Sequence, residues 1–392
     1  MAQRRDVAIV LSGGGVNGVL MELGFLRRLR ESELWPRVGL VCGTSAGALA
    51  GAMAALDRLD DLDEFLFGLQ PADTFRPNRL WRLPLLGLHE YVLPKTIAER
   101  VADPLTLGRD LAACDRELVV VATDASPLRD SVDVRDYELV YSSRRTPPEE
   151  MAQAVFASAA VSSLVLPVRV AGRIATDGGW VRNFPLAHAY ARPGIRMIVA
   201  FRYLPRFPEI TTDGLGRLRK RLERFRAVPP IRAFIAELKE AEERSRSGEP
   251  AHLPEMILRL TRAAIVRNTV IEEKIADERD ESIQELARLR EDLRVLVQRR
   301  VRRRDQAQLL AEIEERFETA RFPFRHNRAI PRITVSAAAE GLGLDPGVRQ
   351  QKPWPDAIKR TLIERGYEVT DAELRRAGID YPTDEAATSA AS

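Results

Sequence analysis

The segment GTSAG, residues 43–47, has the residue types that a nucleophilic serine needs. In a G-x-S-x-G motif between a strand and a helix, the serine stands on a sharp turn at the helix N-terminus, where free N–H groups favour negative charge. The preceding VGLVC is apolar and strand-like, and the following ALAGAMAALDRL is typical of a helix. Ser45 is therefore a candidate nucleophile, with Gly43 and Gly47 supporting the turn. The alternative is a tight turn that needs small residues only for packing.

A glycine-rich loop precedes this motif in the chain. Gly13, Gly14 and Gly15 follow the first apolar run, and Gly18 lies one turn into the next helical segment. Such loops bind anions through backbone N–H groups. A dinucleotide loop would need an acidic residue at the end of the second strand, and a P-loop would need Gly-Lys-Ser/Thr; both are missing. The remaining interpretation is an oxyanion hole, because the carboxyl ends of neighbouring parallel strands meet at one crevice.

The general base of such a serine is usually histidine. The chain has four histidines: His89, His188, His252 and His326. The order Ser45, Asp177, His188 formally fits a catalytic triad. The short segment FPLAHAYARP, however, lacks the helix and strand that normally separate the acid from the histidine in α/β-hydrolases. We therefore expect His188 to be a partly exposed helix residue.

Asp177 is the stronger candidate for the base. It ends an apolar run and precedes Gly178 and Gly179, which permit a tight turn. Burial in a crevice of low dielectric would raise the pKa of its carboxyl toward the range useful for a base. The alternative is an Asp-Gly turn that closes a hairpin, a common use of this pair.

Taken together, the three segments resemble the patatin-like phospholipase family, including its bacterial serine acyl hydrolases, over residues 5–205. The matching motifs are G-G-G-x-x-G, G-x-S-x-G and D-G-G, in this order, with further similarity over 157–179 and at the Asn-x-Pro of 183–185. The resemblance implies a Ser–Asp dyad without histidine, in which Ser45 attacks an acyl carbonyl, Asp177 is the general base and an acyl-enzyme forms. The implied oxyanion hole is Gly13, Gly14 and Gly15, and the supporting glycines are Gly18, Gly43, Gly47, Gly178 and Gly179.

The resemblance implies a lipid substrate and neither a metal nor an organic cofactor. Two positions depart from the family pattern. Asn17 stands where the family usually has Arg or Lys, and Val161 stands where it often has Pro. Loss of the basic residue could weaken the oxyanion loop or change head-group choice, whereas neither departure touches the dyad.

The pattern of apolar runs predicts the elements that must position these residues. Short Val/Ile/Leu-rich runs alternate with helical segments up to about residue 205, which is typical of an α/β fold with a mostly parallel central sheet and helices on both faces. The predicted strands are 6–11, 38–42, 118–125, 136–143, a hairpin or bend over 168–176, and 196–202; the predicted helices are 17–32, 45–58, 60–70, 94–102 and 149–160.

After Pro205 the strand-like runs end and the charge density rises. We predict a patatin-like domain at 5–205, a charged α-helical extension at 206–330 and a loop-rich C-terminal tail at 331–392. The extension should contain helices at 214–226, 230–247, 253–280 and 281–319. The tail should contain one short helix near 355–366 and a disordered end at 386–392.

Charge and composition restrict the function further. The net charge of +3 over 392 residues gives no argument for a polyanionic partner, and no aromatic residues alternate with the arginines, so nucleic-acid binding is not expected. No apolar stretch is long enough to span a membrane. Two cysteines give no disulfide framework. We expect a cytoplasmic protein, with attachment to the inner face of the membrane as an open alternative and no prediction of a protein partner or oligomer.

Two flanking segments have open roles. The Leu-rich segment 80–94 could form a lid, an acyl-chain wall or a membrane-touching loop, with ordinary core packing as the alternative. The arginines of 299–304 could contact anionic lipids, pair with the acidic stretch 272–285 if two helices fold back, or remain solvated. The sequence thus predicts a serine acyl hydrolase of (phospho)lipids; an acyltransferase with the same dyad and a non-catalytic lipid-binding or regulatory scaffold are the alternatives.

Overall fold

A computed structural model describes most of the chain. The described residues are 4–78, 89–126, 133–162, 164–204, 216, 219–220, 222–226, 228–246, 253–319, 329–339, 342–344 and 352–379. Most of the predicted lid segment 80–94, the end 386–392, His252 and His326 lie outside these residues.

One eight-stranded sheet organises the described part of the molecule, and a separate two-stranded ribbon lies beside it. The sheet runs in the order β10-β9-β1-β2-β5-β8-β7, and β6 also pairs with β5. Parallel pairing joins β10, β9, β1, β2 and β5, whereas β6, β7 and β8 pair antiparallel. The strands of the sheet are β1 (Val7–Leu11), β2 (Val38–Thr44), β5 (Glu117–Asp124), β6 (Glu138–Ser142), β7 (Val168–Val170), β8 (Arg173–Asp177), β9 (Met197–Tyr203) and β10 (Arg332–Ala337); the ribbon is β3 (Phe75–Pro77) with β4 (His89–Tyr91).

The register on β5 brings two strand ends together. Thr44, the last residue of β2, pairs with Val121, and Asp177, the last residue of β8, pairs with the next residue, Ala122. Because β6 occupies the other edge of β5 at these positions, β2 and β8 follow one another along the same edge. One is parallel and the other antiparallel to β5, so their carboxyl ends meet head to head.

Both faces of the sheet are covered by apolar packing. Along β1, Val7, Ile9 and Leu11 belong to the larger core cluster, whereas Ala8 and Val10 belong to the smaller one on the opposite face. The helices of this region are α1 (Gly15–Arg30), α2 (Ala46–Ala55), α3 (Leu59–Gly68), α4 (Pro71–Thr74), α5 (Leu93–Arg100), α6 (Pro104–Ala113), α7 (Pro148–Ser158), α8 (Gly179–Arg182) and α9 (Leu186–Tyr190). The predicted α/β fold is confirmed, and the predicted hairpin turns at Ala171 and Gly172, both with positive φ.

The predicted loop-rich tail contains regular structure that the sequence analysis missed. Strand β10 adds to the sheet edge by pairing parallel to β9. The helix expected near 355–366 is longer and spans Asp356–Arg376 (α13). It packs closely on α1: a Cβ atom at Gly24 would lie 2.0 Å from the Ile363 carbonyl oxygen, so bare glycine backbone permits the contact. The proposed domain boundaries at 205 and 330 stay predictions.

The helical extension is described over three helices: α10 (Pro229–Arg246), α11 (Leu253–Arg300) and α12 (Arg303–Thr319). The break expected at 280/281 is wrong, because α11 continues for 48 residues. The acidic stretch and Arg299 and Arg300 therefore lie on one helix, with about 20 Å or more between them at 1.5 Å per residue. This excludes the alternative in which 299–304 pairs with 272–285 after a fold-back; Glu272 and Glu273 pair with Arg182 and Arg202 of the α/β region instead. No helix among the described residues is long and apolar enough to cross a membrane.

Candidate active site

Ser45 stands on a strained turn between β2 and α2. Its φ is 55° and its ψ is −120°, a conformation that non-glycine residues rarely adopt and that structures retain where function requires it. Only small neighbours permit the turn: a Cβ at Gly43 would lie 2.2 Å from the Gly47 carbonyl oxygen, and a Cβ at Gly47 would lie 2.6 Å from that of Leu11. The predicted supporting role of both glycines thus has a steric basis.

The backbone of Ser45 is held by a residue that the sequence analysis did not single out. The Ser45 N–H donates to Ser158 Oγ at 2.8 Å, and the Ser158 hydroxyl donates to the Val121 carbonyl oxygen at 2.6 Å. Ser158 ends α7 and is fully buried. Its only signal in the sequence was its place in the small-residue run before Asp177. The bonds tie the serine turn to the central strand β5.

Asp177 lies in hydrogen-bond contact with Ser45. The Ser45 hydroxyl donates to Asp177 Oδ2 at 2.9 Å, and the Gly179 N–H donates to Asp177 Oδ1 at 2.7 Å. Both side chains belong to buried residues, 7% and 6% exposed. Burial raises the pKa of the Asp177 carboxyl to about 6, against the opposing effect of the two hydrogen bonds. A carboxyl with this pKa is ionised and basic at neutral pH.

The close approach at Asp177 depends on the glycines that follow it. A Cβ at Gly178 would lie 2.3 Å from the Val121 carbonyl oxygen and 2.9 Å from Thr44 Cγ2, so a larger residue would separate the two strand ends. The Thr123 hydroxyl donates to the Asp177 carbonyl oxygen at 2.7 Å and fixes the end of β8.

The glycine loop lies against both residues, but its N–H groups are not equivalent. The Gly13 N–H donates to the Asn183 carbonyl oxygen at 3.0 Å, so in this structure it is engaged. Within the described part of the chain, the N–H groups of Gly14 and Gly15, at the start of α1, have no hydrogen-bond partner. Of the three donors predicted for an oxyanion hole, only Gly14 and Gly15 keep an N–H group without a partner among the described residues, and their role in binding an oxyanion stays a prediction. A Cβ atom at Gly18 would make only ordinary contact with Tyr203, at 3.6 Å or more.

Asn17 has a structural partner that explains its presence in place of a basic residue. Its Nδ2 donates to the Leu344 carbonyl oxygen at 3.1 Å, and its Oδ1 accepts from the Leu344 N–H at 2.7 Å. An amide side chain can pair with a peptide group in this two-way manner, whereas Arg and Lys offer donors only. Asn17 thus anchors the C-terminal segment beside the glycine loop.

His188 does not contact Ser45. Its Nε2 lies 2.8 Å from Glu138 Oε1, and Glu138 also accepts from Arg182 at 2.6 Å. These partners hold the pKa of Glu138 down to about 2, although burial opposes them. His188, on α9, therefore belongs to a polar cluster with Glu138 of β6 and Arg182 of α8, and it is a partly exposed helix residue, as expected. His89 lies in strand β4, buried beside Phe75.

Helix α11 of the extension reaches this site. Residues Asn268 and Thr269 of α11 hydrogen-bond to α8 and to Asn183, and the acidic residues further along α11 pair with Arg182 and Arg202. No group of metal-binding side chains occurs among the described residues. Cys42 and Cys114 are both free.

This arrangement is typical of a serine hydrolase site: a serine on a strained strand-to-helix turn shares a hydrogen bond with a buried carboxylate, and a glycine loop lies beside it. The family follows from the comparison of sequences. Residues 9–190, a little under half of the chain, match the family model of the patatin-like phospholipases, so this segment is similar to the domain of that family. The resemblance stated for residues 5–205 is confirmed over this span.

Other comparisons add less. The crystal structure of VipD from Legionella pneumophila is similar at 18% sequence identity and a TM-score of 0.34, over 57% of this chain and 54% of that chain. The matched part thus spans about half the length of VipD, and a similarity of this strength carries no argument about function. No curated protein matches the sequence.

Proposed function

We propose that the protein hydrolyses fatty-acyl esters of lipids through a Ser45–Asp177 dyad. The observation that carries the proposal is the 2.9 Å hydrogen bond between the Ser45 hydroxyl and a buried Asp177 carboxylate with a raised pKa. A serine hydroxyl is a poor nucleophile unless a base in hydrogen-bond reach accepts its proton. Asp177 is the only titratable group that hydrogen-bonds Ser45 Oγ within the described residues.

The proposed reaction has two halves. Ser45 Oγ attacks the acyl carbonyl carbon while its proton passes to Asp177, and the N–H groups of Gly14 and Gly15 stabilise the oxyanion. The ester C–O bond then breaks, the leaving alcohol oxygen takes the proton from Asp177, and an acyl-enzyme on Ser45 remains. In the second half, water attacks the acyl carbon and gives a proton to Asp177. The Ser45 C–O bond breaks, Ser45 recovers the proton, and the fatty acid leaves.

We infer that the substrate is presented at a membrane surface. Support comes from α11, which turns one face toward the site and leaves large apolar side chains exposed on the opposite face: Met256, Leu260, Val270 and Ile271. These residues recur at spacings that place them on one stripe of a helix. An exposed apolar stripe on a charged helix is typical of contact with a lipid interface. A cytoplasmic protein stays the prediction, and attachment to the inner face of the membrane is the alternative that this stripe favours.

The test is ester hydrolysis and covalent labelling on the purified full chain. We expect wild type to hydrolyse phospholipid in vesicles and to react with a fluorophosphonate, and Ser45→Ala to lose both activities. A Ser162→Ala variant is the matched control, because Ser162 lies near the end of β8 and bonds Thr176 rather than the dyad. Absence of hydrolysis and labelling in folded wild type would favour a non-catalytic lipid-binding scaffold.

An acyltransferase with the same dyad is the second enzymatic candidate. It shares the acyl-enzyme and differs only in the group that accepts the acyl chain. Addition of glycerol or a lysophospholipid during turnover separates the two, because a transferase forms a new ester at the expense of free fatty acid. Free fatty acid as the sole product supports the hydrolase.

A further inference from the structure

Helix α11 contributes two polar side chains to the active site from outside the matched segment 9–190. Thr269, buried on the face toward the sheet, accepts a hydrogen bond from Asn183 Nδ2 at 2.8 Å. Asn268 Nδ2 donates to the Trp180 carbonyl oxygen at 2.6 Å and to that of Gly179 at 3.3 Å. Both residues thus contact neighbours of Ser45 and Asp177: Thr269 contacts the Asn183 side chain, and Asn268 contacts the backbone of Gly179 and Trp180.

The Thr269 contact controls the orientation of the Asn183 amide. The Thr269 hydroxyl donates to the Ile265 carbonyl oxygen at 2.9 Å, so its lone pair is left to accept from Asn183 Nδ2. The same Nδ2 lies 3.4 Å from the Gly13 carbonyl oxygen. The backbone carbonyl oxygen of Asn183 accepts a hydrogen bond from the Gly13 N–H at 3.0 Å. Asn183 thus holds Gly13 at both of its peptide groups, and Thr269 holds Asn183.

The side-chain amide of Asn183 has little room to move without displacing its neighbours. A Cβ at Gly13 would lie 2.3 Å from Asn183 Oδ1 and 3.2 Å from Ser45 Cβ. Gly13 therefore lies close to both the Asn183 amide and the nucleophile. An amide that rotated after loss of its partner would push on the loop whose next two residues, Gly14 and Gly15, carry the N–H groups proposed to bind the oxyanion. Displacement of an oxyanion donor by about 1 Å is enough to cost up to about 100-fold in rate.

Asn268 acts on the other half of the dyad. It holds the carbonyl oxygens of Gly179 and Trp180, and the Gly179 N–H donates to Asp177 Oδ1. A hydrogen bond to the ionised carboxylate lowers its pKa, so the position of Gly179 tunes the base. Ile265, one turn earlier on α11, packs over the same glycine.

We propose that Thr269 and Asn268 are positioning residues for the reaction, Thr269 for the glycine loop through Asn183 and Asn268 for the Asp177 turn through Gly179. The helical extension is then part of the catalytic unit, since the patatin-like segment alone lacks these two side chains. The proposal rests on the proposed Ser45–Asp177 chemistry and adds residues to that same site.

The test of the first half is Thr269→Val, which keeps the shape of the side chain and removes the acceptor. We expect kcat for ester hydrolysis to fall about 10- to 100-fold with KM changed less than about threefold, and Thr269→Ser to restore most of the rate. Thr361→Val is the matched control, because the Thr361 hydroxyl makes the same bond to a carbonyl four residues back, on exposed α13 surface. We expect it to match wild type.

The outcomes are separable. An inactive wild type overturns the proposed function itself. An active wild type with Thr269→Val and Thr269→Ser both at the wild-type rate overturns the role of Thr269, as does a fall in rate that Ser does not restore. Circular dichroism on each variant shows whether α11 remains folded, and fluorophosphonate labelling rates report on the site if lipid turnover is altered by vesicle binding.

The test of the second half is the pH profile of Asn268→Ala. Release of Gly179 weakens its hydrogen bond to Asp177, so the pKa of the base should rise and the acid limb of kcat/KM should move to higher pH. Thr361→Val should keep the wild-type limb. An Asn268→Ala profile that falls in amplitude without moving along the pH axis would contradict a positioning role at Asp177.

Discussion

The sheet and helix α11 position the same site by different physical means. In the sheet, β1 is fully buried along its length, and the ends of β2 and β8 are fixed by backbone register on β5. Helix α11 buries few of its described side chains and leaves Leu260, Ile275 and Leu296 more than half exposed. It is attached instead through polar and charged contacts.

The acidic part of α11 provides most of these contacts. Glu272 pairs with Arg182, Glu273 with Arg202 and Asp277 with Arg332, and Asp280 accepts from the Tyr190 hydroxyl at 2.6 Å. The comparison indicates that the sheet sets the contact between Ser45 and Asp177, whereas α11, to which we assign a positioning role, is attached by interactions that depend on charge. The predictions below separate the two contributions.

Loss of the carboxylate should have the largest effect. Asp177→Asn keeps the size of the side chain and removes the base, so we expect kcat to fall by about 10³-fold or more. Such a fall would show that the reaction depends on a carboxylate that the sheet holds in place. The matched control is His188→Ala, which removes the histidine that an alternative triad would use; it should retain activity within about threefold, and a reversal of these two results would refute the dyad.

The pH profile of the wild type should show the raised pKa of Asp177. Only the ionised carboxylate can accept the serine proton, and its pKa is about 6. We therefore expect kcat/KM to fall about tenfold per pH unit below this value and to level off above it. Steady-state rates from pH 4.5 to 8, with intact secondary structure verified at each end, provide the measurement. An acid limb near the ordinary carboxyl pKa would show that burial does not tune the base.

The stability of the sheet region should depend on one buried acid of α1 that has no hydrogen-bond partner within the described residues. Both Glu22 carboxyl oxygens on α1 lack a hydrogen-bond partner within the described residues, and burial raises the pKa of Glu22 well above its ordinary value. The folded state thus binds this proton more tightly, so stability is highest below the ordinary pKa and is lost as pH rises through the folded value. Glu22→Gln should raise the free energy of unfolding at pH 7 by about 1–3 kcal/mol; urea denaturation at pH 4 and pH 7 measures it.

Removal of one acid on α11 should have the smallest effect. Burial raises the pKa of Glu272 even beside Arg182, so this pair contributes little net stability. We expect Glu272→Gln to cost about 1 kcal/mol or less and to increase amide hydrogen exchange over α11 without affecting the sheet. Glu285→Gln, an exposed position on the same helix, is the control. Equal exchange in both variants would argue against attachment of α11 by charge.

The sequence predicted much of the sheet and the two side chains, Ser45 and Asp177, that meet at its strand ends, for identifiable reasons. Ser45 and Asp177 each follow an apolar run and precede small residues, and such signals are local. The roles of Ser158 and Thr269 were missed because each depends on a partner more than 80 residues away. The engagement of the Gly13 N–H was missed for the same reason.

The C-terminal part was predicted least well. Strand β10 is six residues long, and its pairing with β9 spans more than 130 residues of chain. The acidic stretch of α11 showed a charge pattern, but the pattern could not indicate that the partners are Arg182, Arg202 and Arg332. Periodicity predicts a helix and its apolar stripe; it does not identify the surface on which the polar face lies.

Site mapping of a fluorophosphonate adduct by mass spectrometry tests the Ser45–Asp177 dyad most directly. The full chain is labelled at pH 7.5, digested and sequenced, with Asp177→Asn and His188→Ala treated in parallel. The account predicts a single adduct on Ser45, formed at the wild-type rate in His188→Ala and at least about 10³-fold more slowly in Asp177→Asn. An adduct on another serine, or equal labelling rates in wild type and Asp177→Asn, would contradict it.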